Sequence, residues 1–262
     1  HRVDRRQRQM CIRDRFYHMR YAAHPVPDAV LYAMMIRACA AGVPQPNTMP
    51  LRRKRTMEAD AERALDLFRE MTVHHGVRPN KEVYDSLILT CARRKDHYAD
   101  ALRLLRELVE GDHTQLWPDA YTYNAVLQGS ARHGDLTTAR WILADMVRSV
   151  MADTHRLRRP NEDTLAHVFW TYAVYQPPID RHQLQSTEAT QSSDAEGHVA
   201  EAAPSPTFTH ALPQTSSDVL AEARALMARI LADQGHDETA AHPLSSVRVS
   251  PRLLHAYLAV LT

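Results

Sequence analysis

Apolar residues recur along this chain with the spacing of one helix face. In four stretches an Asp or Asn that follows a proline is succeeded four residues later by Tyr or Leu, and then by an apolar pair. Spacing of i, i+3 and i+4 places these side chains on one side of a helix. The pattern predicts four copies of a helix that we call helix A. Its aligned residues are Tyr32, Met35 and Ile36; Tyr84, Leu87 and Ile88; Tyr123, Val126 and Leu127; and Leu165, Val168 and Phe169.

The proline and the residue after it predict where each helix A begins. Proline cannot continue a preceding helix, and an Asp or Asn side chain accepts hydrogen bonds from the unpaired N–H groups that open the next one. The four pairs are Pro27 with Asp28, Pro79 with Asn80, Pro118 with Asp119, and Pro160 with Asn161.

A second apolar stripe with helical spacing follows each helix A, and we call it helix B. Each copy begins with an alanine, which allows two helix backbones to approach closely. The aligned residues are Ala64, Leu67, Phe68 and Met71; Ala101, Leu104, Leu105 and Leu108; Ala139, Ile142, Leu143 and Met146; and Ala223, Leu226, Met227 and Ile230. Two-helix units of this size cannot bury their apolar faces alone, so the chain is predicted to be an all-α solenoid with a superhelical arrangement of antiparallel two-helix repeats.

The repeats divide the chain as follows. A repeat array is predicted over residues 16–175, and an insertion over 176–216 is rich in Ser, Thr, Gln, Ala and Pro and is expected to be disordered. Residues 217–262 supply the second helix of the fourth repeat and the first helix of a truncated fifth, with Leu254, Tyr257, Leu258 and Leu261 on its apolar face. Within the array we predict a part repeat at 16–28, repeats at 29–80, 81–119 and 120–161, and the start of the fourth at 162–175.

The first fifteen residues, HRVDRRQRQMCIRDR, look like a basic arm, but residues 5–15 match the translation of a transposase adaptor used in sequencing libraries. We therefore expect residues 1–15 to be an adaptor-derived artefact. Without them the chain holds 26 Lys and Arg against 29 Asp and Glu, which is a net charge of −3. The apparent slight basicity thus comes from this segment alone.

Several classes of function lack their sequence signals. No apolar run approaches the roughly 18 residues that a membrane span needs, so we expect no span. The seven glycines form no phosphate-binding GxGxxG or GxxxxGK[ST] motif, and neither HExxH nor GxSxG occurs. Cys39 and Cys91 are too far apart to form a zinc site by themselves. We expect no enzyme activity, no cofactor and no metal.

The segment WPDAYTYNAVLQGSARHGDLTTARWILADM resembles a pentatricopeptide repeat, whose pattern reads P-D-x-x-T-Y-N, an apolar pair, G, and then A-x-x-Φ-Φ-x-x-M. The resemblance extends over most of 16–175 and more weakly over 217–262. The tetratricopeptide repeat has a similar two-helix hairpin, but its Trp, Leu-Gly and Tyr pattern is missing from these first helices.

This resemblance implies binding of single-stranded RNA with one base per repeat. In the family, the base is read by the residue after the helix A tyrosine and by the last residue of the repeat. Carried onto this chain, the pairs are Ala33 with Asn80, Asp85 with Asp119, Asn124 with Asn161, and Ala166 with Ser250. Ala33 offers no hydrogen bond and ionised Asp85 only accepts them, so both depart from the well-read combinations. Cations for the RNA backbone are expected near the end of helix A, at Arg93, Arg132, Arg94 and Lys95.

The resemblance further implies a mitochondrial protein that supports processing, stability or translation of mitochondrial mRNA or rRNA. The alternative is a scaffold solenoid of the tetratricopeptide kind that docks ribosomal or other proteins, which the poor reading pairs and the acidic insertion favour. A continuous positive stripe along the helix A face would support RNA, and a neutral apolar groove would support a protein partner.

Overall fold

A computed structural model describes residues 14, 18, 26–40, 43–44, 57–110, 116–151, 159–178, 211–236 and 243–262. This part of the chain is almost entirely helical, which confirms the all-α prediction; a superhelical arrangement stays a prediction. Helices A are α1 (Ala29–Ala40), α3 (Lys81–Ala92), α5 (Ala120–His133), α7 (Glu162–Val174) and α9 (Pro251–Leu261). Helices B are α2 (Ala61–Arg69, continued by a π-helical turn Glu70–His74), α4 (Tyr98–Glu110), α6 (Leu136–Met151) and α8 (Ser216–Asp233).

The chain forms two compact units, residues 1–129 and 130–262, with the boundary inside α5. In the first unit α1 packs against α3, and each of these helices A also packs against the helix B that follows it, α2 or α4. In the second unit α7 packs against α9 in the same way, and α6 and α8 also contact α7. Each unit therefore repeats the same contacts between successive helices.

The predicted helix starts are confirmed by hydrogen bonds at the N-caps. The Asn80 side chain accepts a hydrogen bond from the Val83 N–H at 3.0 Å, and Asp28 accepts one from the Leu31 N–H at 2.9 Å. Asn161 forms a reciprocal capping box with Thr164, in which each side chain accepts from the backbone of the other. Each Asp or Asn thus satisfies an N–H group that the helix itself leaves unpaired.

The apolar stripes that define the repeats are buried. Every aligned helix A residue named above is at most 3% exposed. In helix B the exception is Phe68, which is half-buried and whose ring lies edge-on to Tyr84 with the centroids 5.8 Å apart. The periodicity therefore identified the packing faces correctly.

A tyrosine hydroxyl joins helix A to helix B in three of the repeats. The bonds run from Tyr32 to Glu70 at 2.9 Å, from Tyr84 to Glu107 at 2.8 Å, and from Tyr172 to Glu222 at 3.0 Å. In the fourth repeat Leu165 takes the usual tyrosine position, and the bond has moved seven residues forward along helix A and seven residues back along helix B. Such opposite shifts keep the partners facing each other only when the two helices are antiparallel.

The helix α9 differs from its prediction in which residues it buries. It exists as predicted, but Leu253 and Ala256 are buried, whereas Leu254, Leu258 and Leu261 are 40%, 56% and 39% exposed. The reason is that α9 keeps the face that packs against the preceding helix A, while the leucines lie on the face that helix B covers in the other repeats. The predicted stripe was therefore wrong for the packing of this helix.

The insertion in the first repeat is framed by two short strands, β1 (Val43–Pro44) and β2 (Met57–Glu58), which pair antiparallel. Residues 45–56 between them lie outside the described residues. The same holds for residues 1–13 and for 179–210, so the predictions of an artefact and of a disordered insertion stay predictions. In the described part of the chain, no helix is long and apolar enough to cross a membrane.

Candidate nucleic-acid interface

A groove in the first unit collects several of the predicted base-reading residues. It has a volume of about 380 Å³ and lies where the helices α1 and α3 and the start of α5 come together. Three of the predicted readers, Ala33, Asp85 and Asp119, line it. The other lining residues are Met34, Arg37, Glu82, Ser86 and Tyr121.

Lys81 joins the two acidic readers in this groove. Its ammonium nitrogen lies 2.5 Å from an oxygen of Asp85 and 2.9 Å from an oxygen of Asp119. The Thr122 hydroxyl contributes as well, since its oxygen lies 2.6 Å from Asp85 Oδ1 and 3.0 Å from Asp119 Oδ1. The second repeat therefore presents its two readers as parts of one hydrogen-bonded cluster.

Burial and hydrogen bonding move the pKa values of this cluster in different directions. Burial raises the pKa of Asp85, and the hydrogen bonds from Lys81 and Thr122 offset it only partly. For Asp119, burial is outweighed by the Thr122 backbone N–H and by Lys81, so its pKa is lowered. Burial acts to lower the pKa of Lys81, but the hydrogen bonds to both carboxylates outweigh it and raise that pKa. The ammonium therefore stays charged at neutral pH.

The first repeat presents a different pair. Ala33 is 3% exposed and offers only its methyl group to the groove. Asn80 is half-buried and uses its carbonyl oxygen to cap α3. Its amide nitrogen has no hydrogen-bond partner among the described residues. This pair of predicted readers therefore offers one donor group and no charge.

The remaining predicted readers lie within helices A or cap them. Ala166 is completely buried in α7, and Asn124 is half-buried in α5. Asn161 caps α7, and Ser250 caps α9 by accepting a hydrogen bond from the Leu253 N–H at 3.3 Å. The Ser250 hydroxyl also donates to a carboxylate oxygen of Glu162. Each predicted reader at the end of a repeat thus caps the helix that follows it.

The predicted backbone cations of the first unit are engaged within the protein to different degrees. Arg93 donates to the carbonyl oxygen of Ala40 at 2.7 Å, at the end of α1, and burial lowers its pKa. Arg94 pairs with Asp96 and holds the pKa of that carboxyl at about 2. Lys95 is exposed. Arg93 and Arg94 therefore already make contacts within the protein, in addition to any contact that they make with a ligand.

Arg132, in the second unit, is exposed and its charge acts on His167. Burial, the charge of Arg252 and then that of Arg132 lower the pKa of this histidine to about 4, against the opposing effect of Asp163. His167 is therefore neutral at physiological pH, and the positive charge near it comes from the two arginines.

The groove of the first unit is neither a positive stripe nor a neutral apolar surface. Glu82, Asp85 and Asp119 outnumber Arg37 and Lys81 there. Sequence reasoning missed Lys81, Arg37, Thr122 and Tyr121 as members of this surface. The spacing of Lys81 and Asp85, i and i+4 on one helix, could have indicated that pair. The contact with Asp119, 38 residues away, could not be read from local spacing.

Comparisons with known proteins agree with this architecture. Residues 121–149 match the family model for the PPR repeat. The chain is 26% identical over 155 residues to the mitochondrial 15S rRNA processing factor CCM1 of Candida tropicalis. It is 32% identical over 135 residues to the protein of that name from Yarrowia lipolytica. These matches cover 59% and 51% of this chain, but only 17% and 15% of the two relatives. By this comparison the chain contains a match to one pentatricopeptide repeat, at residues 121–149.

Proposed function

We propose that this chain binds single-stranded RNA on the helix A face of its repeats and supports the processing of a mitochondrial ribosomal RNA. The observation that carries the proposal is the similarity, over half of the chain or more, to two proteins named as mitochondrial 15S rRNA processing factors. Both names include the mitochondrion, and we place this chain there too. We propose a binding role without a catalytic step.

The groove of the first unit supports the proposal through its aromatic and cationic side chains. Tyr121 is 44% exposed and borders the groove, so its ring is available to stack on a base. Arg37 is exposed on the same surface and can contact a phosphate. The three carboxylates oppose an anionic ligand, and we therefore expect modest affinity with strong salt dependence.

Mobility-shift titration of the 262-residue chain with a randomised single-stranded RNA pool at low salt tests the proposal. We expect a shift that weakens steeply as salt rises, with weaker binding of double-stranded RNA of equal length. Tyr121→Ala should lower the affinity roughly fivefold to a hundredfold if the ring stacks on a base. Trp141→Ala is the matched control, because this indole is 46% exposed on helix B and lies outside the groove.

The absence of any shift with the randomised pool would refute RNA binding by these repeats. In that case the hypothesis of a scaffold solenoid that docks proteins becomes the better one. Affinity capture from mitochondria should then yield proteins without RNA. If binding is found, crosslinking in mitochondria followed by sequencing should enrich a ribosomal RNA over mRNAs. Enrichment of mRNAs alone would leave RNA binding standing and reject the ribosomal target.

A further inference from the structure

The first residue of helix A contacts the last residue of the same repeat in two places. We propose that this first residue controls base reading: Lys81 occupies both readers of the second repeat, so that this repeat holds its nucleotide without discriminating between bases. The inference rests on the proposed RNA binding and concerns its specificity.

In the second repeat all four carboxylate oxygens are already engaged. Asp85 accepts from Lys81 at 2.5 Å and from Thr122 at 2.6 Å. Asp119 accepts from the Thr122 backbone N–H at 3.0 Å, and its second oxygen lies 2.9 Å from the ammonium. The third close neighbour of that ammonium is the Thr122 hydroxyl oxygen at 3.3 Å. Every carboxylate oxygen of the cluster therefore already accepts from a donor of the protein.

The fourth repeat has the same contact with different chemistry. Glu162, like Lys81, is the first residue after the N-cap of its helix A. Its carboxylate accepts a hydrogen bond from the hydroxyl of Ser250, the predicted last residue of that repeat. The Ser250 oxygen accepts from the backbone of Leu253 as well. In the second repeat the first helix A residue is a cation that contacts the carboxylate of Asp119. In the fourth repeat the equivalent residue is an acid that accepts from the hydroxyl of Ser250.

The first repeat lacks such a residue. Ala29 occupies the position of Lys81, and a methyl group cannot bind the Asn80 amide. The Asn80 nitrogen remains without a partner among the described residues. The comparison predicts that the first repeat contributes base preference through Asn80 and that the second does not.

Magnitudes support closure of the second repeat. A bidentate contact to the correct base discriminates roughly tenfold to a hundredfold. To make it, a base must displace Lys81 or Thr122 from a carboxylate, and a charge-assisted hydrogen bond contributes a factor of about the same size. The two terms cancel approximately, so all four bases should be accepted nearly equally.

Selection from a randomised RNA pool, read by sequencing, tests this with the whole chain. The wild type should show less than about twofold preference at the nucleotide that faces the second repeat. Lys81→Ala introduces the residue that the first repeat has, and it frees two acceptor carboxylates. We expect one nucleotide position to gain at least fivefold preference for guanine, whose N1–H and N2–H₂ both donate, while overall affinity falls because a cation is lost. Arg69→Ala removes an exposed helix B cation and is the control, expected to leave preferences unchanged.

The outcomes separate the two proposals. If the wild type binds no RNA, the proposed function and this inference both fall. If the wild type binds but Lys81→Ala weakens all sequences equally, with no new preference at any position, only the control by Lys81 is refuted. The reciprocal variant Ala29→Glu offers the Asn80 amide an acceptor, and it should abolish the base preference at one nucleotide position for which the wild type is selective. Retention of that preference would likewise count against the inference.

Discussion

The helix α3 has a buried apolar face and a polar face, and the two differ in how they depend on the repeat pattern. One face buries Tyr84, Leu87 and Ile88, and it repeats the apolar spacing of the other helices A. A second face beside it carries Lys81 and Asp85, and its contacts recur in no other described repeat with the same residue types. The buried face follows from the repeat pattern, because any two-helix unit needs it to pack. The polar face is particular to this repeat and can change without loss of the fold.

The largest expected effect comes from opening the buried face. Leu87 is completely buried, so Leu87→Ala should lower the free energy of unfolding by about 2–5 kcal/mol through lost burial and the cavity that remains. Thermal or urea denaturation followed by circular dichroism measures this. Leu89→Ala is the control, since Leu89 lies on the same helix but is half-buried. Equal losses for the two variants would contradict the distinction between the faces.

The two faces also differ in how far the sequence predicts them. Except for the half-buried Phe68, the buried stripes of the first four helices A and of the four helices B were found from periodicity, because a helix with a 3.6-residue period buries the same positions in each repeat. The exposure of Leu254 and Leu258 was not found, since burial depends on which helices pack against α9. The contact between Lys81 and Asp119 joins the first and last residues of one repeat, which are 38 positions apart, and a local pattern does not report it. Packing faces are thus predictable from local periodicity, whereas the site depends on contacts between residues distant in the sequence.

A smaller effect should follow from removing a polar bond between α3 and α4. Tyr84→Phe deletes the hydroxyl that donates to Glu107 at 2.8 Å. Because Glu107 is exposed and water can replace the lost donor, we expect a loss of about 1 kcal/mol in the free energy of unfolding. Tyr121→Phe should cost nothing measurable in the same denaturation experiment, since that ring is 44% exposed. A loss above roughly 3 kcal/mol for Tyr84→Phe would mean that the carboxylate is left buried and unpaired.

The smallest effect on stability is expected on the polar face, where charge should act on the ligand instead. Glu82 is exposed and borders the groove, so Glu82→Gln should change the free energy of unfolding by less than about 0.5 kcal/mol. Removing one negative charge beside a bound phosphate chain should raise the affinity for single-stranded RNA about twofold to threefold at low salt, and the gain should vanish as salt screens it. Glu62→Gln is a close control, because Glu62 is also an exposed acid in the first turn of a helix, but of a helix B. Filter binding at two salt concentrations compares the variants. An equal gain for both would show that RNA responds to the net charge of the chain, and that the helix A face has no special part in binding.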